Sequence, residues 1–277
     1  MVGQIRSWVA CRKSLLLEWF VVANFAFLVL DVFLAHSVNN FRHPAEWIPV
    51  VFSAVAAAGL APALWQASGA TLGSYAHRVG LAVGFASVVL GIGGVVYHLQ
   101  SQFFSQWTLR SLVYTAPFAA PLAYSGLGFL LLLNRLVPAE TEEWDRWVVF
   151  LALGGFLGVF VLALCDHAQN GFFYGSEWWP VAASALAGGF LAVALVERSA
   201  DFIRICFGVL ALQAMVGLVG FWFHVEADVN GLSASLFENF LHGAPAFAPL
   251  LFVDLALLAA IGLSPLACDG MNPAESA

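Results

Sequence analysis

Long apolar runs separated by short polar segments recur along the whole chain. A helix of about 20 apolar residues crosses the ~30 Å hydrocarbon core of a bilayer. The pattern therefore predicts an all-α integral membrane protein. Its eight expected transmembrane helices cover residues 15–35, 47–66, 79–99, 109–133, 147–166, 178–196, 202–223 and 242–263.

Composition favours a membrane protein over a soluble domain. Apolar residues make up 61% of the 277 residues and charged residues only 10%, whereas a soluble domain carries about 25% charged residues. The sequence has no basic cluster of the kind that binds nucleic acid. Membrane lipid is the expected partner, with other membrane subunits as further candidates.

The few basic residues predict the orientation of the helices. Eight of them fall on one side of the predicted spans, namely Arg6, Arg12, Lys13, Arg78, Arg135, Arg146, Arg198 and Arg204. Only Arg42 and Arg110 fall on the other side. Because cytoplasmic loops are enriched in basic residues, both termini are expected in the cytoplasm. We expect a protein of a bacterial inner (plasma) membrane whose outer face is periplasmic.

A fifteen-residue phrase occurs twice in the chain, 131 positions apart. Residues 36–50 and 167–181 share seven identical residues in register: His, Asn, Phe, Glu, Trp, Pro and Val. Such self-similarity is typical of a duplicated structural unit.

The repetition extends to the later spans of each copy. Residues 97–102 parallel residues 223–228, and residues 116–122 parallel residues 244–250. Four spans per copy predict two parallel four-helix repeats, related by a pseudo-twofold axis along the membrane normal. The predicted divisions are a first repeat (1–136), a cytoplasmic linker (137–146), a second repeat (147–265) and a cytoplasmic tail (266–277).

The predicted topology collects histidines and carboxylates at the outer face. The histidines at the outer ends of spans one, three, five and seven are His36, His98, His167 and His224. Glu46 and Glu177 follow the first and third of them by ten residues. Neutral imidazole is the commonest metal ligand, and together with carboxylates it suits zinc, copper, iron or manganese. These six residues form the candidate metal site, and haem is the alternative cofactor.

Two pairings of the histidines are open. His98 and His224 share one cofactor if spans three and seven lie near the axis. Alternatively, each half pairs its own histidines, His36 with His98 and His167 with His224. Histidines on neighbouring helices are also the arrangement that holds a haem by two axial ligands.

The same residues have structural explanations. Trp47 and Trp178, at the starts of spans, suit the headgroup layer of a membrane. Glu46 and Glu177 suit helix N-termini, where a negative charge complements the helix dipole. Duplication also copies residues whether or not they have a function.

Four further polar residues are weaker candidates. Asp254 lies in the middle of the eighth span, where a carboxyl is costly unless it faces the interior of the bundle; it is either functional or a buried carboxyl held by a neighbouring amide or hydroxyl. Asp31, Asp166 and His242 lie near the candidate histidines in the sequence or at the outer face.

Three classes of function are compatible with these features. The first is a protein that binds a metal ion or haem at its outer face, such as a redox enzyme or a respiratory-type subunit. The second is a proton-coupled small-solute transporter that uses Asp254 or the histidines. The third is a structural or assembly subunit of a membrane complex. We favour the first class, because His and Glu recur at a fixed separation.

Overall fold

The computed structural model describes residues 12–66 and 74–264, and within them every regular element is a helix. The α-helices are α1 (Lys13–Ser37), α2 (Trp47–Gln66), α3 (Ser74–Gln100), α4 (Phe103–Gln106), α5 (Leu109–Val113), α6 (Leu122–Leu136), α7 (Glu142–Gln169), α8 (Trp178–Ala194), α9 (Ala200–Val229), α10 (Leu236–His242) and α11 (Leu250–Leu263). Short 3₁₀ turns at Pro44–Glu46 and Gly175–Glu177 precede α2 and α8. The predicted all-helical fold class is confirmed. The predicted tail, 266–277, lies outside the described residues.

Five of the described helical segments are long and apolar enough to cross a membrane. They are Lys13–Ser37, Pro44–Pro62, Ser74–Gln100, Glu142–Gln169 and Ala200–Val229. Each overlaps one of the spans predicted from the sequence. Helix α8 has 17 residues, which corresponds to about 26 Å of helical rise. These long apolar helices are compatible with a membrane protein.

The helices at the fourth and eighth predicted spans are shorter than expected. Helix α6 has 15 residues and begins after Pro121, and α11 has 14 residues and begins after Pro249. Proline suits the start of a helix but not its interior, because it has no backbone N–H and its ring clashes with the preceding turn. The repeated prolines therefore interrupt the predicted spans 109–133 and 242–263.

The core is built on one face of α1 and one face of α7. Fully buried residues recur every four positions, at Leu17, Val21 and Phe25 in α1 and at Val148, Ala152 and Phe156 in α7. This spacing places each set on one side of its helix. The ring of Phe25 lies 6.4 Å from the ring of Tyr124 in α6, and the ring of Phe156 lies 6.4 Å from that of Phe252 in α11. The two long helices are thus each packed against one of the shorter helices.

Glycines allow the closest helix contacts. A Cβ atom added at Gly91 of α3 would lie 2.8 Å from the carbonyl oxygen of Pro121, and one added at Gly217 of α9 would lie 2.7 Å from that of Pro249. Real Cβ atoms do not approach so closely, so only glycine lets these backbones meet. The contact brings α3 against the start of α6 and α9 against the start of α11.

Two buried ion pairs tie helices together where α1 and α7 begin. Lys13 Nζ lies 2.6 Å from Asp145 Oδ1, which joins α1 to α7. Arg135 of α6 binds Glu18 of α1 in a bidentate manner, at 2.8 Å (Nη1–Oε2) and 2.5 Å (Nη2–Oε1). Burial of charge is tolerated when the charge is paired and hydrogen-bonded.

The segment between α6 and α7 is shorter and less solvated than the sequence indicated. Only residues 137–141 lie outside the helices. Asp145, which belongs to the predicted cytoplasmic linker, is buried, and its pairing with Lys13 makes that burial tolerable. A carboxylate at the start of α7 also complements the helix dipole.

Candidate functional site

The ends of α1 and α7 have the same local structure. The backbone N–H of Phe41 donates to the carbonyl oxygen of His36 at 3.3 Å, and that of Phe172 donates to the carbonyl oxygen of His167 at 3.0 Å. Both phenylalanines have a positive φ, 48° and 52°. A left-handed residue after a helix allows such a bond to close the last turn.

A stacked aromatic pair holds each of these turns. The rings of Phe41 and Trp47 are 4.0 Å apart and 17° from parallel, and those of Phe172 and Trp178 are 3.8 Å apart and 10° from parallel. The stack offsets the cost of a positive φ at phenylalanine, a residue that rarely adopts it. The repeated Phe and Trp therefore fold the chain from α1 into α2 and from α7 into α8.

A second contact recurs at the ends of α3 and α9. The Nδ1 atoms of His98 and His224 each lie 2.9 Å from a proline carbonyl oxygen, that of Pro117 and that of Pro245 respectively. A carbonyl oxygen only accepts hydrogen bonds, so Nδ1 carries the proton. In a neutral imidazole, Nε2 then keeps its lone pair for another partner.

The structure brings His36 and His98 together. Their ring centroids are 6.4 Å apart and the rings are nearly perpendicular, at 85°. The Nδ1 atom of His36 lies 3.0 Å from the carbonyl oxygen of Val32. The Nε2 atom of His36 takes no part in that hydrogen bond. In the other half, His167 and His224 lie close enough to interact electrostatically. We call the end of the bundle that carries these four residues the histidine end.

Both repeated glutamates lie at the histidine end, with one carboxylate oxygen buried. The Oε2 atoms of Glu46 and Glu177 have no hydrogen-bond partner among the described residues. Glu177 Oε2 lies 3.7 Å from Nδ1 of His167, which places a negative charge beside that imidazole. Glu177 is at the N-cap of α8 but makes no side-chain cap bond.

A compact cluster of metal ligands is absent from the described part of the chain. Within residues 12–66 and 74–264, no three or more His, Cys, Asp and Glu side chains are grouped so that they could hold a metal ion. The six residues proposed from the sequence lie at one end of the bundle. The distances found among them join two residues at a time: His36 with His98, and His167 with Glu177.

Asp254 has a structural partner. Its Oδ1 accepts a hydrogen bond of 2.9 Å from Nδ2 of Asn24, which also donates to the carbonyl oxygen of Phe20. This agrees with a buried carboxyl held by a neighbouring amide. The bond joins α1 to α11 and therefore crosses between the two predicted repeats.

The remaining candidates occupy separate places. Asp166 and Cys165 line a small crevice between α7 and the segment around Pro117. Asp31 is half-buried in α1. Nε2 of His242 lies 3.5 Å from Glu238 Oε2, one turn earlier in α10, and both side chains are about half exposed. These three positions are not joined to the histidine pairs by any identified hydrogen bond.

Sequence reasoning missed the groups that position the histidines. Thr115 Oγ1 donates to the carbonyl oxygen of His98 at 2.7 Å, and Ser101 Oγ accepts from the backbone N–H of Ala116 at 2.9 Å. In the other half, Asp228 Oδ1 accepts from the N–H of Ala244 at 2.8 Å. The repeated prolines were the available indication, because a proline that interrupts a helix leaves backbone carbonyls free to bind side chains.

Comparison of the chain with protein-family models, with curated proteins and with solved structures found no match. The functional argument therefore rests on the geometry of the histidine end.

Proposed function

We propose that this chain is a polytopic membrane protein that binds a metal cofactor at one histidine pair in each half. One pair is His36 with His98, and the other is His167 with His224. Haem iron is the cofactor that fits this geometry best. The associated function is electron transfer, as a redox enzyme or a respiratory-type membrane subunit.

The proposal includes a twofold repeat of four membrane passes. It is supported by contacts that recur in register: the Phe–Trp stack, the His–proline carbonyl bond and the glycine–proline carbonyl approach. In this arrangement the short helices α6 and α11 complete the fourth and eighth passes together with the segments before them. Irregular backbone at membrane depth is tolerated where it is buried in protein.

The proposed orientation places the histidine end at the periplasmic face. The basic residues support it, since Lys13, Arg135 and Arg198 belong to the opposite end and Arg42 and Arg110 to the histidine end. The cytoplasmic side of a membrane protein carries the excess of lysine and arginine. Both termini are then cytoplasmic, in a bacterial inner membrane.

The hydrogen bonds of the histidines support a ligand role. Histidines that bind a metal nearly always donate their other ring N–H to a carbonyl or carboxylate, which orients the ring and sets the tautomer. His36, His98 and His224 each have Nδ1 at a main-chain carbonyl oxygen, at 3.0, 2.9 and 2.9 Å. His167 instead has Nδ1 beside the carboxylate of Glu177. Three of the four therefore have the hydrogen-bonded second partner that is typical of a metal ligand, and His167 has a carboxylate nearby, beyond hydrogen-bond distance.

The spacing of His36 and His98 is the single observation that carries the proposal. A metal held between two imidazole nitrogens on opposite sides of it, at the usual bond length of about 2 Å, places the two ring centres ~6 Å apart. The observed separation is 6.4 Å. Two protein ligands are sufficient for haem iron, because the porphyrin supplies the other four.

A bare metal ion is the second candidate, and Glu177 favours it in the second half. A structural or catalytic zinc ion takes three or four protein ligands. These three side chains are not grouped as a metal site in the described residues, so Glu177, whose Oε2 lies 3.7 Å from Nδ1 of His167, would have to move to join His167 and His224 as a third ligand. Glu46 is the corresponding residue of the first half by sequence, and its Oε2 is likewise buried without a hydrogen-bond partner among the described residues. Zinc, copper, iron or manganese would suit such a set.

The test is an optical spectrum and an elemental analysis of the purified protein. Haem predicts a Soret band with about two haems per chain, and a bare ion predicts stoichiometric metal without that band. Replacing His36 and His98 together by alanine should remove one of the two centres, and replacing His167 and His224 together should remove the other. A protein without a Soret band and without stoichiometric metal would contradict the proposal.

The matched control is His43→Ala. His43 also lies at the histidine end, but its Nδ1 accepts a hydrogen bond from the backbone N–H of Ala45 at 3.2 Å and caps the 3₁₀ turn. We expect this variant to retain both centres. Loss of a centre from His43→Ala, with retention in the paired variants, would reject the assignment.

A further inference from the structure

Asp254 is a carboxyl group inside an otherwise apolar helix. It is the single ionisable residue of α11, and its side chain is half-buried. The polar partner identified for it is the neutral amide of Asn24 in α1, whose Nδ2 lies 2.9 Å from Asp254 Oδ1. At membrane depth, a carboxyl group that has no positive charge beside it is strongly disfavoured in its ionised form.

Two other acids inside the bundle have the positive partner that Asp254 lacks. Fully buried Glu18 is bound by Arg135, and fully buried Asp145 is paired with Lys13. In the part of the chain that the structure describes, Asp254 forms no ion pair with a lysine, an arginine or a histidine. A buried acid without such a partner holds a proton and becomes neutral.

The helices that pack against α11 bring no positive charge to the depth of this carboxyl group. These helices are α1, α7 and α9. The middle stretches of α7 and α9, residues 147–164 and 207–223, contain no ionisable residue. In α1, the ionisable residues nearest to Asn24 along the helix are Glu18 and Asp31, and both are acids. The amide of Asn24 is therefore the polar group that acts on the carboxyl group.

Packing of the two halves does not require this polar pair. In the register of the repeated segments, Asn24 aligns with Gly155 of α7, and Asp254 aligns with Gly126 of α6. Helices α6 and α7 contact each other, although glycine at both of these positions offers no side chain for a hydrogen bond. A carboxyl group and an amide at only one of the two corresponding contacts indicate a role beyond holding the halves together.

We propose that Asp254 is a proton-binding site within the membrane, which takes up and releases a proton while Asn24 positions its carboxyl group. The amide of Asn24 also donates to the carbonyl oxygen of Phe20 at 3.0 Å, which turns its N–H groups toward Asp254. A donor that bonds to a carboxylate favours the ionised form, so Asn24 opposes the effect of burial and allows the proton to leave. The site lies where α1 meets α11, between the two halves, and it does not depend on a cofactor at the histidine pairs.

The test is infrared difference spectroscopy of the full-length protein in detergent, recorded between pairs of pH values. The wild type should show the carbonyl band of a protonated carboxylic acid, and this band should disappear as the pH rises. Asp254→Asn keeps an oxygen that accepts from Asn24 but has no acidic proton, so this variant should lack the band. A wild type without a band that Asp254→Asn removes would overturn the proposal. A band that persists at every pH at which the protein stays folded would do the same, because the acid would then be permanently neutral.

A second variant and a control complete the experiment. Asn24→Leu removes the donor, so the band should persist to a pH higher by about one unit, since a hydrogen bond to a charged group stabilises the ionised form. This variant keeps the proposal testable if Asp254→Asn does not fold, and an unchanged midpoint would reject the role of Asn24. Asp201→Asn is the control, because Asp201 is exposed and paired with Arg204. Loss of the same band from Asp201→Asn would overturn the assignment to Asp254.

Discussion

The two halves of the molecule share their turns but differ in their charges. Both use a stacked Phe–Trp pair and a histidine Nδ1 bound to a proline carbonyl. In the first half, Nδ1 of His36 lies at the carbonyl oxygen of Val32, whereas in the second half Nδ1 of His167 lies beside the carboxylate of Glu177. The recurring contacts build the scaffold, and the differing ones set the electrostatic environment of each histidine pair.

The opposite end shows the same kind of difference. Glu18 of α1 is buried and binds Arg135, whereas the residue 131 positions later, Val149 of α7, is buried in apolar surroundings. At this position the first half therefore uses an ion pair and the second half uses apolar packing, while Asp145 one turn earlier in α7 pairs with Lys13 of α1. Corresponding places in the two halves of the proposed repeat can be stabilised by different interactions as long as the shape is kept.

The largest effect is expected from breaking the buried ion pair of the first half. Glu18→Gln leaves the guanidinium of Arg135 buried without its charged partner, which should lower the free energy of unfolding by about 3–5 kcal/mol. Denaturant unfolding in detergent measures the change. The control is Glu142→Gln, whose partner Arg146 and own side chain are exposed, and it should leave stability unchanged. Equal stability of both variants would remove the distinction between the halves at this end.

The next largest effect tests a contact that the halves share. Gly91→Ala and Gly217→Ala each force a methyl group against a proline carbonyl, and each should cost about 1–3 kcal/mol of unfolding free energy. Gly93→Ala is the control, because a Cβ at Gly93 has no neighbour within 4 Å. A large loss in one half only would mean that the two helix contacts are not equivalent.

Removing either aromatic stack should lower the free energy of unfolding by a smaller amount, and by the same amount in both halves. Trp47→Leu and Trp178→Leu retain apolar bulk but remove the stacking, which is worth about 0.5–1.5 kcal/mol. Thermal unfolding should show similar decreases for both variants. Trp222→Leu is the control, since Trp222 is 65% exposed and its ring contacts no other aromatic ring among the described residues. Unequal losses from the two stacks would show that one turn carries more of the stability.

The smallest effect is electrostatic and should separate the halves. If the histidine pairs hold redox centres, Glu177→Gln removes a negative charge 3.7 Å from His167 and should raise the reduction potential of the second centre by tens of millivolts, because net charge tunes such centres. Glu46→Gln should shift the first centre less, since His36 Nδ1 faces a neutral carbonyl oxygen. Spectroelectrochemical titration measures both potentials, and a larger shift from Glu46→Gln would contradict the comparison.

Part of the candidate site could be predicted from the sequence, because the apolar runs and the repeated phrase recur along the chain. Apolar runs indicate membrane-length helices without knowledge of their partners, and the repeated phrase placed His36 and His167 at equivalent helix ends. The spacing of charges along the chain did not indicate that Asp145 is buried. Burial of a charge depends on a partner distant in sequence, and Lys13 lies 132 residues away.

The sequence by itself determined that the protein is helical and rich in apolar segments, and that it contains a repeated His, Phe, Glu and Trp. These features depend on composition and on local spacing, which every segment carries on its own. Only the tertiary structure decided that His36 meets His98, that proline carbonyls orient His98 and His224, and that Asp254 binds Asn24. Each of these contacts joins residues at least 19 positions apart, and pairing at that distance is set by how the helices pack against one another.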